Sequence, residues 1–142
     1  MQISNILAKK GSDVVTIRPT QTIREALTLL VGARIGALLV IDAPGKVVGL
    51  VSERDIIRAA AQDETLFDLP VSRIMTQDVI VAQPGDDLKA VEKTMTERRF
   101  RHLPILDRGE LVGIVSIGDV VKAALDEYEG EIETLHTRVE KG

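Results

Sequence analysis

The chain has 142 residues, 18 lysines and arginines against 22 aspartates and glutamates, a net charge of −4 and no cysteine. That length suits one ordinary domain with a shared core. The absence of cysteine excludes disulfides and thiolate metal sites and fits a reducing compartment, and the acidic balance does not favour nucleic acid or an anionic membrane. The longest apolar runs fall far short of the ~20 residues of a membrane-spanning helix, and Met1-Gln2-Ile3-Ser4 lacks a signal peptide's basic, apolar start. The expected localisation is cytoplasmic.

After a short leader helix near Ile3–Leu7, the β-branched run Val14–Ile17 predicts a strand that Pro19 ends. Thr22 and Glu25 form a capping-box pattern opening an amphipathic helix, with Ile23, Ala26, Leu27, Leu30 and Val31 on one face. Leu38–Ile41 is a continuous apolar run, as expected of a strand buried on both faces. Pro44-Gly45 gives a turn, Val47–Val51 a third strand and Glu53–Ala61 a second helix. Asp63–Pro70 reads as a linker. The order then returns: strand Val79–Val81, helix Leu88–Arg99, strand Leu103–Leu106, turn Arg108-Gly109, strand Leu111–Val115 and a helix from Ile117.

The second half repeats the first in sequence as well as in pattern. Gly49-Leu50-Val51-Ser52-Glu53-Arg54-Asp55 returns as Gly113-Ile114-Val115-Ser116-Ile117-Gly118-Asp119, 64 residues on. Seven of the fourteen pairs between Val47–Ala60 and Leu111–Ala124 are identical. The leaders Ile3–Leu7 and Val71–Met75 also correspond. A duplication at fixed spacing decides the architecture: repeat 1 spans 1–62, a linker 63–70, repeat 2 71–125 and a C-terminal helical extension 126–142. Running from the end of repeat 2 into that extension, Leu125, Tyr128, Ile132, Leu135 and Val139 alternate in steps of three and four, a heptad-like seam.

Ser52 and Asp55, and Ser116 and Asp119, stand where a strand enters a helix. As helix caps they would each contribute ~1 kcal/mol. The same geometry suits a ligand. A helix N-terminus offers free N–H groups to a phosphate, a serine hydroxyl adds a donor, and an aspartate can accept both hydroxyls of a vicinal diol. The pair therefore fits a ribose carrying a phosphate.

These features together resemble a tandem pair of CBS domains, the Bateman module of small stand-alone prokaryotic CBS proteins. The resemblance rests on the β-α-β-β-α order, the unit of about 60 residues, the doubled G-h-V-S-x-x-D phrase (h, hydrophobic) and the strand Leu103-Pro104-Ile105. It covers Ile3 to about Leu125. It implies an α/β fold of two β-α-β-β-α repeats packed pseudo-symmetrically, with an extended C-terminal helix. It further implies a non-enzymatic regulatory module that binds an adenosyl nucleotide in clefts between the repeats. AMP leads, with ATP and NAD(H) as the other ligands, and a change of conformation or assembly signals to an effector protein. Asp55 and Asp119 would hold ribose, with Ser52 and Ser116 near phosphate. The resemblance assigns Arg101 and His102 to the ligand of Asp55 and sends Arg54 to that of Asp119. Gly36 and Ala37 replace Arg101 and His102 in repeat 1, and Ala37-Leu38-Leu39 stands where repeat 2 has His102-Leu103-Pro104. The two sites are thus expected to take different ligands. Thr16 is a further base or ribose contact. Such pairs associate face to face, which implies a homodimer.

Other chemistry finds little support. The phosphate-loop phrases are absent, His102 and His136 lack metal-ligand spacing, and no serine has a histidine base placed for it. The Arg98–Arg101 cluster is a weak case for nucleic acid in an acidic chain with few stacking aromatics. The competing reading is a structural dimerisation module whose clefts are vestigial.

Overall fold

A computed structural model describes residues 1–43 and 45–141, with side chains through Glu129. The elements run α1 (Ile3–Lys10), β1 (Thr16–Ile17), α2 (Ile23–Ala33), β2 (Ala37–Asp42), β3 (Lys46–Ser52), α3 (Glu53–Gln62), two 3₁₀ turns (Leu66–Asp68, Val71–Arg73), α4 (Leu88–Arg98), β4 (His102–Asp107), β5 (Glu110–Ser116) and α5 (Ile117–Lys141). The mixed α/β architecture and the long last helix match the expectation. Of the tail seam, Ile132, Leu135 and Val139 lie outside the described side chains, and so does Pro44 of the first turn.

The chain forms two compact units that do not follow the repeat boundaries. One is Asp13–Ile80; the other joins Met1–Ser12 to the chain from Val81 onward. Each unit takes its leader from the other repeat. In the first, Thr22 bridges Pro70, the Ile23 N–H donates to Leu69 O at 2.9 Å and the Val71 N–H donates to Gln21 O at 2.8 Å. In the second, Gln2 bridges Asp87, the Ile3 N–H donates to Asp86 O at 3.0 Å and the Leu88 N–H donates to Met1 O at 2.9 Å. The reason is local. A helix start has unpaired N–H groups, and an extended segment carrying free carbonyls meets that need in both units.

In the first unit, β1 runs parallel to β2, and β2 pairs antiparallel with β3 in the register Ala37 to Ser52 and Leu39 to Leu50. Residues 37–40 are all buried, as a strand covered on both faces requires. Its core gathers Ile17, Ile23, Leu30, Leu38, Val40, Val51, Ile56 and Val71. Leu27 and Val31, expected on the apolar face of α2, are instead 37% and 70% exposed. Thr22 accepts the Glu25 N–H at 3.1 Å, but the Glu25 carboxylate takes Gln21 Nε2 at 2.7 Å, so only half of the capping box forms.

In the second unit, β4 and β5 pair in the matching register, His102 to Ser116 and Pro104 to Ile114. The two-residue turn Arg108-Gly109 has φ of 53° and 82°, the double left-handed geometry that suits strand twist. The expected strand Val79–Val81 does not form. Only Ala82 meets the sheet, donating to Pro104 O at 3.0 Å and accepting from Leu106 N–H at 2.9 Å. Val81 is 45% exposed, and Pro84 has no N–H to extend the ladder. Ile3, Leu88, Met95, Leu103, Ile105, Val115 and Val120 are buried here.

Candidate functional site at two strand-to-helix junctions

In both repeats the strand delivers its last residue, a serine, directly as the N-cap of the next helix. Ser52 Oγ accepts the Asp55 N–H at 3.2 Å, and Asp55 Oδ2 accepts the Ser52 N–H at 2.9 Å and its hydroxyl at 3.0 Å. Ser116 Oγ accepts the Asp119 N–H at 3.1 Å, and Asp119 Oδ2 accepts the Ser116 N–H at 2.8 Å. Every carboxylate bond among these uses Oδ2 and none uses Oδ1. The boxes also fix the carboxylates at the positive end of the helix, where negative charge is favoured. Both aspartates are part-buried rather than sealed off.

The neighbouring strand completes each junction. Ala37 lies opposite Ser52, and the Glu53 N–H donates to Gly36 O at 3.0 Å. His102 lies opposite Ser116, and the Ile117 N–H donates to Arg101 O at 2.8 Å. Gly36 and Ala37 therefore line the Asp55 junction, while Arg101 and His102 flank the Asp119 junction within their own unit. Leu103 and Pro104 are buried behind it. Arg54 is exposed in the first turn of α3, where Gly118 stands in α5. Thr16 is exposed on β1 opposite Leu39, two positions along β2 from the Ala37–Ser52 pair.

One participant escaped the sequence reading. Lys10, at the end of α1, places Nζ 2.6 Å from Asp119 Oδ2 and 2.9 Å from Ile114 O. Burial alone would raise the Asp119 carboxyl. The bonds and charge of Lys10, with the Ser116 N–H and hydroxyl, outweigh it and hold the group below its ordinary value of 3.8. Asp55 has no lysine or arginine partner among the described residues. The carbonyl equivalent to Ile114 O is Leu50 O, and it accepts the Thr76 backbone N–H at 2.8 Å instead. The sequence carries no signal for Lys10, because a contact 109 positions apart has no local pattern.

A cavity of about 290 Å³ opens beside this ion pair, lined among others by Lys9, Lys10, Asp119, Lys122 and Asp126. Among the described residues no three histidine, aspartate or glutamate side chains are grouped to hold a metal ion. No described helix is long and apolar enough to cross a membrane.

Comparison with known proteins bears on both repeats. A family model for the CBS domain matches residues 4–62 and 71–126. An uncharacterised 17.7 kDa protein of Acidianus ambivalens is 38% identical over 126 residues, 84% of this chain and 76% of that one. Other curated relatives are longer, and the chain spans 39% and 32% of two of them. The crystal structure of a CBS-domain-containing protein from Agrobacterium tumefaciens matches with a TM-score of 0.84 and 42% identity, covering 87% of this chain and 99% of that one. The CBS domain pair of protein MJ0100, solved with 5′-methylthioadenosine and S-adenosyl-L-methionine, matches with a TM-score of 0.80 and 26% identity over 89% of this chain and 98% of that one.

Proposed function

The chain belongs to the CBS-domain family, with two copies of the domain, and from that premise we propose that it is a non-enzymatic sensor of adenosyl nucleotides. The observation that carries this reading is the twice-built junction: Ser52 with Asp55, and Ser116 with Asp119, in the same capping geometry. Capping uses Oδ2 and leaves Oδ1 open for one ribose hydroxyl, while the second hydroxyl of the diol must share Oδ2. The adenosyl ligands of the MJ0100 pair support the ligand class. AMP is the leading ligand, with ATP and NAD(H) as relatives of the same chemistry. Arg101 and His102 supply cationic and polar groups that Gly36 and Ala37 lack, so the two junctions take different ligands. Thr16 and Arg54 are the outlying contacts, and Leu103 and Pro104 the apolar floor.

Signalling runs through assembly to an effector protein. Val31, Ile57, Val121, Leu125 and Tyr128 are exposed apolar side chains on helices, which suits a homodimer. A monomer by light scattering at micromolar concentration, with and without AMP, would contradict that part.

Isothermal titration of AMP into wild type and into D55A/D119A tests the site. A hydrogen bond to a charged partner contributes ~1.5–3 kcal/mol, so the double variant should lose at least about tenfold in affinity. Unchanged affinity would remove the ribose assignment. A second reading is a structural dimerisation module, favoured by the complete capping box that Ser52 and Asp55 form with each other. Thermal unfolding against AMP, ATP and NAD separates the two, since a ligand specific for the folded state must raise Tm.

A further inference from the structure

The two junctions differ most in one charge. Between the leader motif (Ile3–Leu7, Val71–Met75) and the matching Asp-Val (Asp13-Val14, Asp78-Val79), repeat 1 has five residues, Ala8–Ser12, and repeat 2 has two, Thr76 and Gln77. Lys10 lies in the extra length and has no counterpart. It places an ammonium on Asp119 Oδ2 beside the Ser116 N–H, while the corresponding second donor on Asp55 Oδ2 is the neutral Ser52 hydroxyl.

We infer that Lys10 is a specificity-determining residue that makes the Asp119 junction select phosphate-bearing adenosyl ligands over uncharged ones, and that the Asp55 junction lacks this selection. The inference rests on the diol-acceptor reading of Asp119. A diol that engages both carboxylate oxygens competes with Lys10 for Oδ2. At the Asp55 junction the competitor is a hydroxyl, which rotates away at little cost. At the Asp119 junction it is a lysine ammonium, 37% exposed, and displacing it breaks a charge-assisted bond that a rotating hydroxyl does not lose. An uncharged nucleoside offers nothing in exchange. A phosphate monoester does, because it can take over the ammonium in a charge-assisted bond. Lys9 and Lys122 line the same cavity, so a phosphate there meets three ammonium groups against the carboxylates of Asp119 and Asp126. Lys10 stays anchored through Ile114 O at 2.9 Å and needs only a small swing to change partners.

Calorimetry on the D55A chain, which isolates the Asp119 junction, tests this with AMP and adenosine as probes. D55A should bind AMP at least about tenfold more tightly than adenosine. K10M on that background should weaken AMP by roughly tenfold, the loss expected of a charge-assisted bond, and leave adenosine equal or tighter. K10R should keep the AMP preference. Should K10M unfold by circular dichroism, K10Q replaces it. An unchanged AMP-to-adenosine ratio in the neutral variant, or equal loss of both probes, overturns the inference while the site reading stands. If D119A added to D55A leaves AMP affinity unchanged, or if D55A binds neither probe, the site reading itself fails at Asp119 and takes the inference with it.

Discussion

Leu7 lies directly over Gly113: a Cβ built on the glycine would come within 2.6 Å of Leu7 Cδ2. Met75 does the same at Gly49, where the added carbon would meet Sδ at 2.6 Å and the Thr76 carbonyl oxygen at 3.0 Å. The glycine that opens each G-h-V-S-x-x-D phrase is therefore fixed by a leader segment crossing the strand, not by the serine and aspartate that end the phrase. Both substitutions to alanine overpack, at a cost of ~1–3 kcal/mol. G49A should be the worse of the two, because a backbone oxygen cannot turn aside as a leucine methyl can. Urea unfolding of G49A and G113A checks the order, and equal or reversed losses would contradict it.

The Asp119 carboxyl is held below 3.8 in the folded chain, against the opposing effect of burial, by Lys10 and Ser116. Its contribution to stability is therefore fully present above the unfolded value and is lost as pH falls through the folded one. Removing the Lys10 charge should raise the folded value. K10M is thus expected to begin acid unfolding at higher pH than wild type while changing little near pH 7, where exposed pairs contribute modestly. Asp63 is also depressed, by the Thr65 hydroxyl and N–H, but it is unaffected by K10M and serves as an internal reference in a carboxylate titration by NMR.

Duplication made most of this fold legible in the sequence. Two copies of one β-α-β-β-α string placed β2 to α3 and α4 to α5 within a residue or two, because apolar periodicity and turn residues recur. The errors have physical causes. Val79–Val81 has strand composition, yet a strand needs a free edge, and the parallel ladder is met only at Ala82. Leu27 and Val31 share the helical spacing of core residues, yet α2 presents them outward. The exchange of leaders was invisible because an alignment of repeats pairs each leader with its own repeat. The junctions were legible as Ser/Asp pairs, but their inequality was read from Gly36-Ala37 against Arg101-His102, while Lys10 depends on that exchange.

Both α2 and α4 end on an arginine in the left-handed conformation, Arg34 at φ 55° and Arg99 at φ 58°. That geometry costs a residue with a Cβ ~1–2 kcal/mol, partly offset by the greater chain entropy a glycine loses on folding. R34G keeps the capping N–H, which donates to Leu30 O and Val31 O. It is expected to stabilise by a few tenths to ~1 kcal/mol, or about 2–4 °C in Tm at most for a chain of this size. Arg34 is exposed and belongs to neither junction, so AMP affinity should not change. A lower Tm by calorimetry would mean that the arginine side chain contributes more than its backbone costs.

Capping and ligand binding can be separated at Ser52. Its hydroxyl accepts the Asp55 N–H and donates to Asp55 Oδ2, whereas Ser116 accepts the Asp119 N–H beside a carboxylate already held by Lys10. Replacing a serine N-cap by alanine costs ~0.5–2 kcal/mol. S52A should fall toward the upper part of that range and S116A toward the lower, because Lys10 keeps Asp119 in place when the serine hydroxyl is gone. Denaturant unfolding without nucleotide measures this difference. S52T keeps a hydroxyl on the same carbon and should restore most of the loss in stability. If S52T restores stability and AMP affinity together while S52A lowers both, the hydroxyl acts by positioning Asp55. If S52A lowers affinity by much more than the loss from D55A, the hydroxyl meets the ligand itself.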